Sequence, residues 1–315
     1  MTTAFDRAKA FSEDNLQTLR NKIPGLVPDG VTVITSGSYA RREASNQSDI
    51  DYFAVAPGEN LSAEAEDPPW LTTLDAAVIS VVPKSPSEDG AFKDIEYQAD
   101  MLHNIGGIKD SNSKITRRIL LLLEGDWLAN EKGFRDLRRE ILERYVRDSI
   151  TDHQLALFLL NDIIRYYRTV AVDFEFKTFE SSKPWAIRNI KLMFSRKLLY
   201  ASGLFSVAMT ADAAYAEKVR LLEELFDLPV IDRMLEICGD AAMTKVLSCY
   251  NHFLEQVENS DFRKHLNGLP MDHEGRGDAK FRKLKNEGHH FTRHILALFE
   301  NTFGSVHPIR RAVIF

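Results

Sequence analysis

Cysteine and long apolar runs are scarce in this sequence. Only Cys238 and Cys249 occur among 315 residues, and their spacing indicates neither a disulfide framework nor a zinc site, which favours the reducing cytoplasm. The longest apolar run, Leu155 to Leu160, is far shorter than the roughly 20 residues of a membrane-spanning helix. The segment Met1 to Gln17 lacks the apolar core of a signal peptide. We therefore expect a soluble, cytoplasmic protein with no membrane partner.

Positive charge is not in excess either. The chain has 40 Lys and Arg residues against 46 Asp and Glu residues, a formal net charge of −6. Non-specific nucleic-acid binding depends on many cationic contacts to phosphate, so this balance argues against broad DNA binding and leaves room only for a local basic cleft. The 44% hydrophobic content is typical of a globular protein with a sizeable core, in one large domain or two ordinary ones.

The N-terminal part of the chain mixes helix and strand patterns. Asp6 to Lys22 has helical spacing of apolar residues, and Val31 to Thr35 and Tyr52 to Ala56 are short stretches of strand type. Five prolines punctuate residues 56–91, which predicts loops around one element, Trp70 to Val82, whose type the pattern does not decide. A small mixed sheet with helices is the predicted fold of this part.

From Asn112 onward the pattern changes to long amphipathic segments, which predict an α-helical bundle domain. Asn267 to Asp278 contains three glycines and many charges, so we expect a mobile loop there. The predicted helices are Lys114 to Leu128, Phe134 to Val146, Gln154 to Phe174, Pro184 to Leu204, Ala211 to Phe226, Met243 to Glu258 and His290 to Phe303.

Four residues between the two predicted strands carry the chemistry. Gly37 follows the first strand, and its freedom of backbone conformation lets amide groups approach a phosphate closely, while the hydroxyl of Ser38 adds a donor. Asp49 and Asp51 lie at the start of the second strand, where residues two apart share a face. Two carboxylates at that spacing can both contact magnesium.

This arrangement of Gly-Ser followed by Asp-x-Asp resembles the polymerase-β superfamily of nucleotidyltransferases, and its layout is most similar to the protein-modifying uridylyltransferase branch. The resemblance implies that Gly37 and Ser38 hold nucleotide phosphates and that Asp49 and Asp51 bind two magnesium ions. The implied reaction transfers a nucleoside monophosphate from a triphosphate, such as ATP, to an acceptor hydroxyl and releases pyrophosphate.

Members of the superfamily usually supply a third carboxylate from a later strand. We favour Asp89 as the third catalytic acid, because the stretch from Asp100 to Asn130 resembles the segment that follows this acid in the uridylyltransferase branch. Asp94 and Glu96 share a strand face and are alternatives. A site with two acids, or an inactive site, also fits the sequence.

Several cations are candidates for contact with the triphosphate. Arg41 follows the Gly-Ser turn, and Arg188 and Lys191 share one face of a predicted helix with Ser195. Arg165 and Arg168 form a second cationic face with Asn161. Ion pairing with Asp162, Asp173 and Glu175 is the competing interpretation. Except for Arg41, all of these residues lie in the predicted helical domain.

Arg117 and Arg118 are further candidates, although capping of the following helix by Asp110, Ser111 or Asn112 explains most of that cluster. The histidines at positions 289, 290 and 294 lack the carboxylate motif of a zinc site.

We therefore predict a nucleotidyltransferase domain over residues 1–110 and a helical domain over residues 111–315 that completes the cleft for nucleotide and acceptor. The acceptor is a protein side chain, a small molecule or an RNA end. Two alternatives stay open at this point: a nucleotide-binding regulatory protein without turnover, and a toxin-type nucleotidyltransferase that acts on transfer RNA.

Overall fold

The computed structural model describes residues 2–59, 68–84, 95–147, 152–180 and 183–314. The protein is mixed α+β and mostly helical, with one small mixed sheet of four strands. The coarse fold class expected from the sequence is thus confirmed. The chain divides into two compact units, Met1–Arg147 and Asp148–Phe315.

The first unit contains all four strands that the structure describes, interleaved with six helices. These elements are α1 (Ala4–Lys22), β1 (Thr32–Ser36), α2 (Gly37–Ala40), β2 (Asp51–Ala56), α3 (Pro69–Ile79), β3 (Glu96–Tyr97), α4 (Gln98–Leu102), α5 (Asn112–Leu123), β4 (Asp126–Ala129) and α6 (Glu131–Tyr145).

Helix α1 begins at a reciprocal cap. The Thr3 hydroxyl accepts a hydrogen bond from the Asp6 amide, and the Asp6 carboxylate accepts one from the Thr3 amide. Such a capping box satisfies two amides that the helix leaves free. Leu16 and Leu19 on its buried face belong to the same apolar cluster as Val33 of β1. The predicted N-terminal helix is confirmed and packs within the core that supports the sheet.

The strands of the sheet lie in the order β3-β2-β1-β4. Strand β1 is antiparallel to both β2 and β4, whereas β3 runs parallel to β2. The register of β1 and β2 places Ser36 opposite Asp51 and Thr32 opposite Val55. The two strands predicted from the sequence are therefore neighbours, as expected, and the end of β1 meets the start of β2.

Strand β4 was not predicted, since the apolar pattern of the preceding segment suggested a helix through Leu128. Helix α5 instead ends at Leu123, with Glu124 as its C-cap, and the chain turns at Gly125 into β4. Because β4 pairs with β1, residues beyond 110 belong with the sheet. The first unit therefore extends to residue 147, not to the predicted boundary at residue 110.

All elements that the structure describes in the second unit are helical. An aromatic cluster lies in its core, where the Phe194 ring stacks on Phe253 with centroids 4.7 Å apart and on Phe291 at 5.0 Å. The helices are α7 (Leu157–Phe179), α8 (Trp185–Lys191), a π-helical turn (Leu192–Arg196), α9 (Lys197–Ala208), α10 (Tyr215–Asp227), α11 (Val230–Cys238), α12 (Asp240–Glu258), α13 (Ser260–Asn267), α14 (His273–Gly277), α15 (Ala279–Thr302) and α16 (Ile309–Ala312).

The segment from Asn267 to Asp278, predicted to be a mobile loop, contains the short helix α14. Asp272 caps this helix by accepting a hydrogen bond from the Gly275 amide at 2.9 Å. The Trp185 indole donates to the carbonyls of Leu269 and Pro270, and these bonds attach the segment to α8. Across the described residues, every helix is too short or too polar to cross a membrane.

Candidate active site

A tight turn joins β1 to α2. Gly37 has a φ of +71° there, which disfavours any residue with a Cβ. A Cβ at this position would also collide with the Asp51 carboxylate. Glycine is therefore favoured for two reasons, the backbone conformation and the close approach of Asp51, whose carboxylate would have to move away from a Cβ. Ser38 follows and is only half-buried.

The two predicted metal ligands lie beside this turn. Ile50 is buried in the apolar cluster of the first unit, while Asp49 and Asp51 on either side of it are both half-buried. This alternation is that of an extended segment with its carboxylates on the accessible face. Strand β2 itself begins at Asp51, so Asp49 precedes the strand rather than lying in it. The structure thus brings Asp51 against Gly37, with Asp49 two residues earlier in the chain.

Two buried hydroxyl groups flank these carboxylates. Ser36, the partner of Asp51 in the sheet, is 1% exposed, and Tyr39 is 0% exposed. Neither Ser36 Oγ nor Tyr39 Oη has a hydrogen-bond partner among the described residues. Burial and the nearby charge of Asp49 raise the pKa of Tyr39 to about 12. Buried polar atoms normally have partners, so these two hydroxyls are exceptions to the usual pattern.

Glu124, which was not among the predicted site residues, stabilises the turn through two hydrogen bonds. Its Oε1 accepts a hydrogen bond from the Gly37 amide at 2.8 Å, and its Oε2 accepts one from Arg41 at 2.5 Å. Arg41 also bonds Glu43 at 2.9 Å. The predicted phosphate-binding cation is therefore directed at two buried carboxylates, and its observed role is to fix the turn.

The residue after Arg41 makes a second set of ionic contacts. Arg42 has a φ of +62° and bonds Glu13 on α1 at 2.6 Å and Asp126 on β4 at 2.7 Å. Arg20 reaches the same Asp126 oxygen at 2.6 Å. Burial alone would raise the pKa of Asp126, but the two arginines hold it below its usual value. These contacts connect the segment after α2 to two neighbouring elements.

The third carboxylate was predicted at Asp89, which lies outside the described residues, as does Asp94. The remaining alternative, Glu96, is 7% exposed and forms an ion pair with Arg117. It lies opposite Val55 in the parallel pair of β2 and β3, about 13 Å along the strand from Asp51. Glu96 is therefore not a ligand beside Asp51. Within the described ranges, no group of three or more His, Cys, Asp or Glu side chains is placed to hold a metal ion.

Arg117 and Arg118, considered as nucleotide contacts, are both buried in ionic contacts within the first unit. Arg118 bonds Asp110 at 2.9 Å and the Tyr145 hydroxyl at 2.7 Å. Ser111 caps α5 by accepting a hydrogen bond from the Lys114 amide at 3.3 Å, so the capping interpretation of this cluster is confirmed.

The predicted cations of the helical part belong to the second unit. Arg188 lies 3.6 Å from Asp173, and Arg165 lies 3.8 Å from Asp162, so ion pairing with these acids is confirmed. Burial lowers the pKa of Arg188, and the nearby charge of Arg196 lowers it further, while Asp173 opposes both effects. Lys191 is half-buried on α8, and Ser195 is buried in the π-helical turn.

No protein-family model matches this sequence, and no curated protein matches it. The resemblance to nucleotidyltransferases therefore depends on the motif residues and on the local geometry of the β1–β2 junction.

Proposed function

We propose that the protein is a magnesium-dependent nucleotidyltransferase that transfers a nucleoside monophosphate from a nucleoside triphosphate to an acceptor hydroxyl. One observation carries the proposal: Gly37 turns directly against the Asp51 carboxylate, with Ser38 and Asp49 beside it. The turn brings its backbone against Asp51, which is one of two half-buried carboxylates at this point of the chain. That combination suits a phosphate group bridged to a protein through a hard cation.

The donor set fits magnesium. Magnesium in such sites is held by one or two carboxylates together with phosphate oxygens and water, and Asp49 and Asp51 are two half-buried carboxylates. When bound there, the metal would activate the acceptor oxygen and neutralise charge on the departing pyrophosphate.

The chain's own groups have separate roles in this proposal. Ser38 would donate a hydrogen bond from its hydroxyl to a phosphate oxygen, and the absence of a side chain at Gly37 lets the turn lie close to the Asp51 carboxylate. Ser36 and Tyr39 add two buried hydroxyls next to the carboxylates, and neither hydroxyl has a protein partner among the described residues. Glu124 keeps the turn rigid through the Gly37 amide, so the site does not have to reorganise when the substrate binds.

The test uses the whole chain, magnesium and each of the four triphosphates, labelled at the α-phosphate to follow the transferred nucleotide or at the γ-phosphate to follow pyrophosphate. We expect one triphosphate to bind only when a divalent ion is present, and pyrophosphate to be released once a cell extract supplies acceptors. Asp49→Asn and Asp51→Asn should each lower pyrophosphate release at least 100-fold. Asp29→Asn, in the exposed segment before β1, is the matched control. Release that survives both substitutions would contradict the proposal.

The position of Glu96 favours a second candidate, a protein that binds nucleotide without transferring it. Because Glu96 is paired with Arg117 away from Asp51, the described part of the site has Asp49 and Asp51 as its two half-buried carboxylates, while the buried Glu124 is occupied by Gly37 and Arg41. Divalent-dependent nucleotide binding without pyrophosphate release, in extracts from several sources, would support this candidate. Labelled transfer to any acceptor would exclude it and would identify the acceptor as protein, small molecule or RNA.

A further inference from the structure

Helix α15 carries a dense basic surface in a chain whose net charge is negative. Between Ala279 and His294 it has five Lys and Arg residues and a single carboxylate, Glu287. Glu287 faces His252 at 3.2 Å. We call the cationic residues the α15 basic surface; they are Lys280, Arg282, Lys283, Lys285 and Arg293.

Three of these cations are available for a ligand. Lys280, Arg282 and Lys283 are exposed, and their side chains form no ion pair or hydrogen bond with any described residue. The apolar side of α15 is already buried, as Phe281 and Leu284 show with exposures of 1% and 2%. A membrane-surface helix needs an apolar face that is free to insert. The α15 basic surface therefore suits a hydrated polyanion rather than a lipid bilayer.

A cavity opens beside this surface, within the same unit. Its volume is about 390 Å³, and Lys280 and Lys283 form part of its lining. Phe262, which is half-buried, and Leu284 supply apolar lining. A cavity of this size accommodates a small ring system, and an aromatic ring in it offers a stacking surface.

The polar groups of the cavity resemble those that read the edge of a base. The side-chain amide of Gln256 has no hydrogen-bond partner among the described residues, and Asp261 presents an exposed carboxylate. Carboxylates accept from the exocyclic amino group of cytosine, and amides of Gln pair with adenine. Asp261 would repel a phosphate, so the base belongs near Asp261 and the phosphates belong near Lys280 and Lys283.

We propose that the second unit binds single-stranded nucleic acid, with phosphates along the α15 basic surface and one amino-bearing base, cytosine or adenine, in the cavity. This goes beyond the proposed nucleotidyltransferase activity and does not depend on it, because the surface and the cavity lie wholly in the second unit. The net charge of −6 is consistent with binding at one local basic surface and not with general attraction of the protein to nucleic acid.

The first experiment measures binding of labelled 12-residue oligocytidylate RNA by fluorescence anisotropy at 50 and 200 mM KCl. Three phosphate contacts predict that affinity falls roughly 20-fold between these salt concentrations. The triple variant Lys280→Gln, Arg282→Gln, Lys283→Gln should lose most of this salt dependence. Arg220→Gln is the control, because Arg220 is an exposed cation on α10 that is already paired with Glu224. Equal binding by the triple variant and the wild type would overturn the proposal.

The second experiment tests the cavity. Phe262→Leu should weaken oligocytidylate binding about fivefold or more, through lost stacking. Asp261→Asn should abolish the preference for oligocytidylate over oligouridylate without lowering the affinity for oligouridylate. Three further ligands define what is recognised. Cytidine monophosphate tests whether a free nucleotide is sufficient, and DNA of the same sequence tests whether either sugar is accepted. An oligoglutamate peptide tests whether any polyanion binds. Binding of the peptide as tight as that of RNA, or equal binding of oligocytidylate, oligoadenylate and oligouridylate, would refute the base site. Circular dichroism verifies that each variant is folded.

Discussion

Replacing Gly37 with alanine should damage the first unit in two separable ways. At a φ of +71° an L residue costs about 1–2 kcal/mol relative to glycine. The new Cβ would also collide with the Asp51 carboxylate, which must then move away. Gly25 offers a matched control, since its φ is +86° but a Cβ there meets no atom within 4 Å. Gly25→Ala thus has the backbone penalty alone.

The two variants should therefore differ more in metal binding at the site than in the stability of the first unit. Hydrogen exchange of peptides that cover each substituted turn measures local stability, and we expect each variant to lose about 1–2 kcal/mol there. Binding of Mn²⁺, followed by electron paramagnetic resonance as a substitute for magnesium, should be weakened at least tenfold only in Gly37→Ala. Unchanged Mn²⁺ binding in that variant would refute the argument that Gly37 and Asp51 form one site.

Three other perturbations test neighbouring contacts. Glu124→Gln leaves the Arg41 guanidinium with one carboxylate and should cost about 2 kcal/mol of local stability by hydrogen exchange; no loss would contradict its role in the turn. Since the pKa of Asp126 is depressed, its stabilising effect should persist above about pH 4 and fade at lower pH; urea unfolding across pH 3–6 should show this fall, and Asp126→Asn should reduce it. Tyr39→Phe removes a hydroxyl without a described partner, so the free protein should keep its melting temperature while Mn²⁺ affinity falls; a lower melting temperature would indicate a structural role.

The core of the candidate site could be predicted because its signals are local. A glycine after a β-branched stretch, a serine beside it and two aspartates before the next strand are all visible within residues 33–55. The antiparallel pairing of β1 with β2 follows from their proximity in sequence. Local signals of this kind led to Gly37, Ser38, Asp49 and Asp51.

The partners that hold the site could not be predicted, because they lie far away in sequence. Glu124 is 87 residues from Gly37, and at the end of a helical pattern it looks like an ordinary solvated charge. Arg117 was considered as a nucleotide contact, but it is buried and forms an ion pair with Glu96. Strand β4 was hidden for a related reason, since its apolar residues continue the pattern of α5 and only pairing with β1 makes them a strand.

The contacts of β4 also determine which fragments of the chain should stay soluble when they are produced alone. A fragment that ends at residue 110 would lack both β4 and Glu124, although every motif residue would remain. Strand β1 would then present an unpaired edge, the kind of edge that promotes strand-to-strand aggregation. The Gly37 amide and the Arg41 guanidinium would lose their shared carboxylate in the same step. Insolubility of such a fragment would therefore report a missing edge strand, not a defect in the motif.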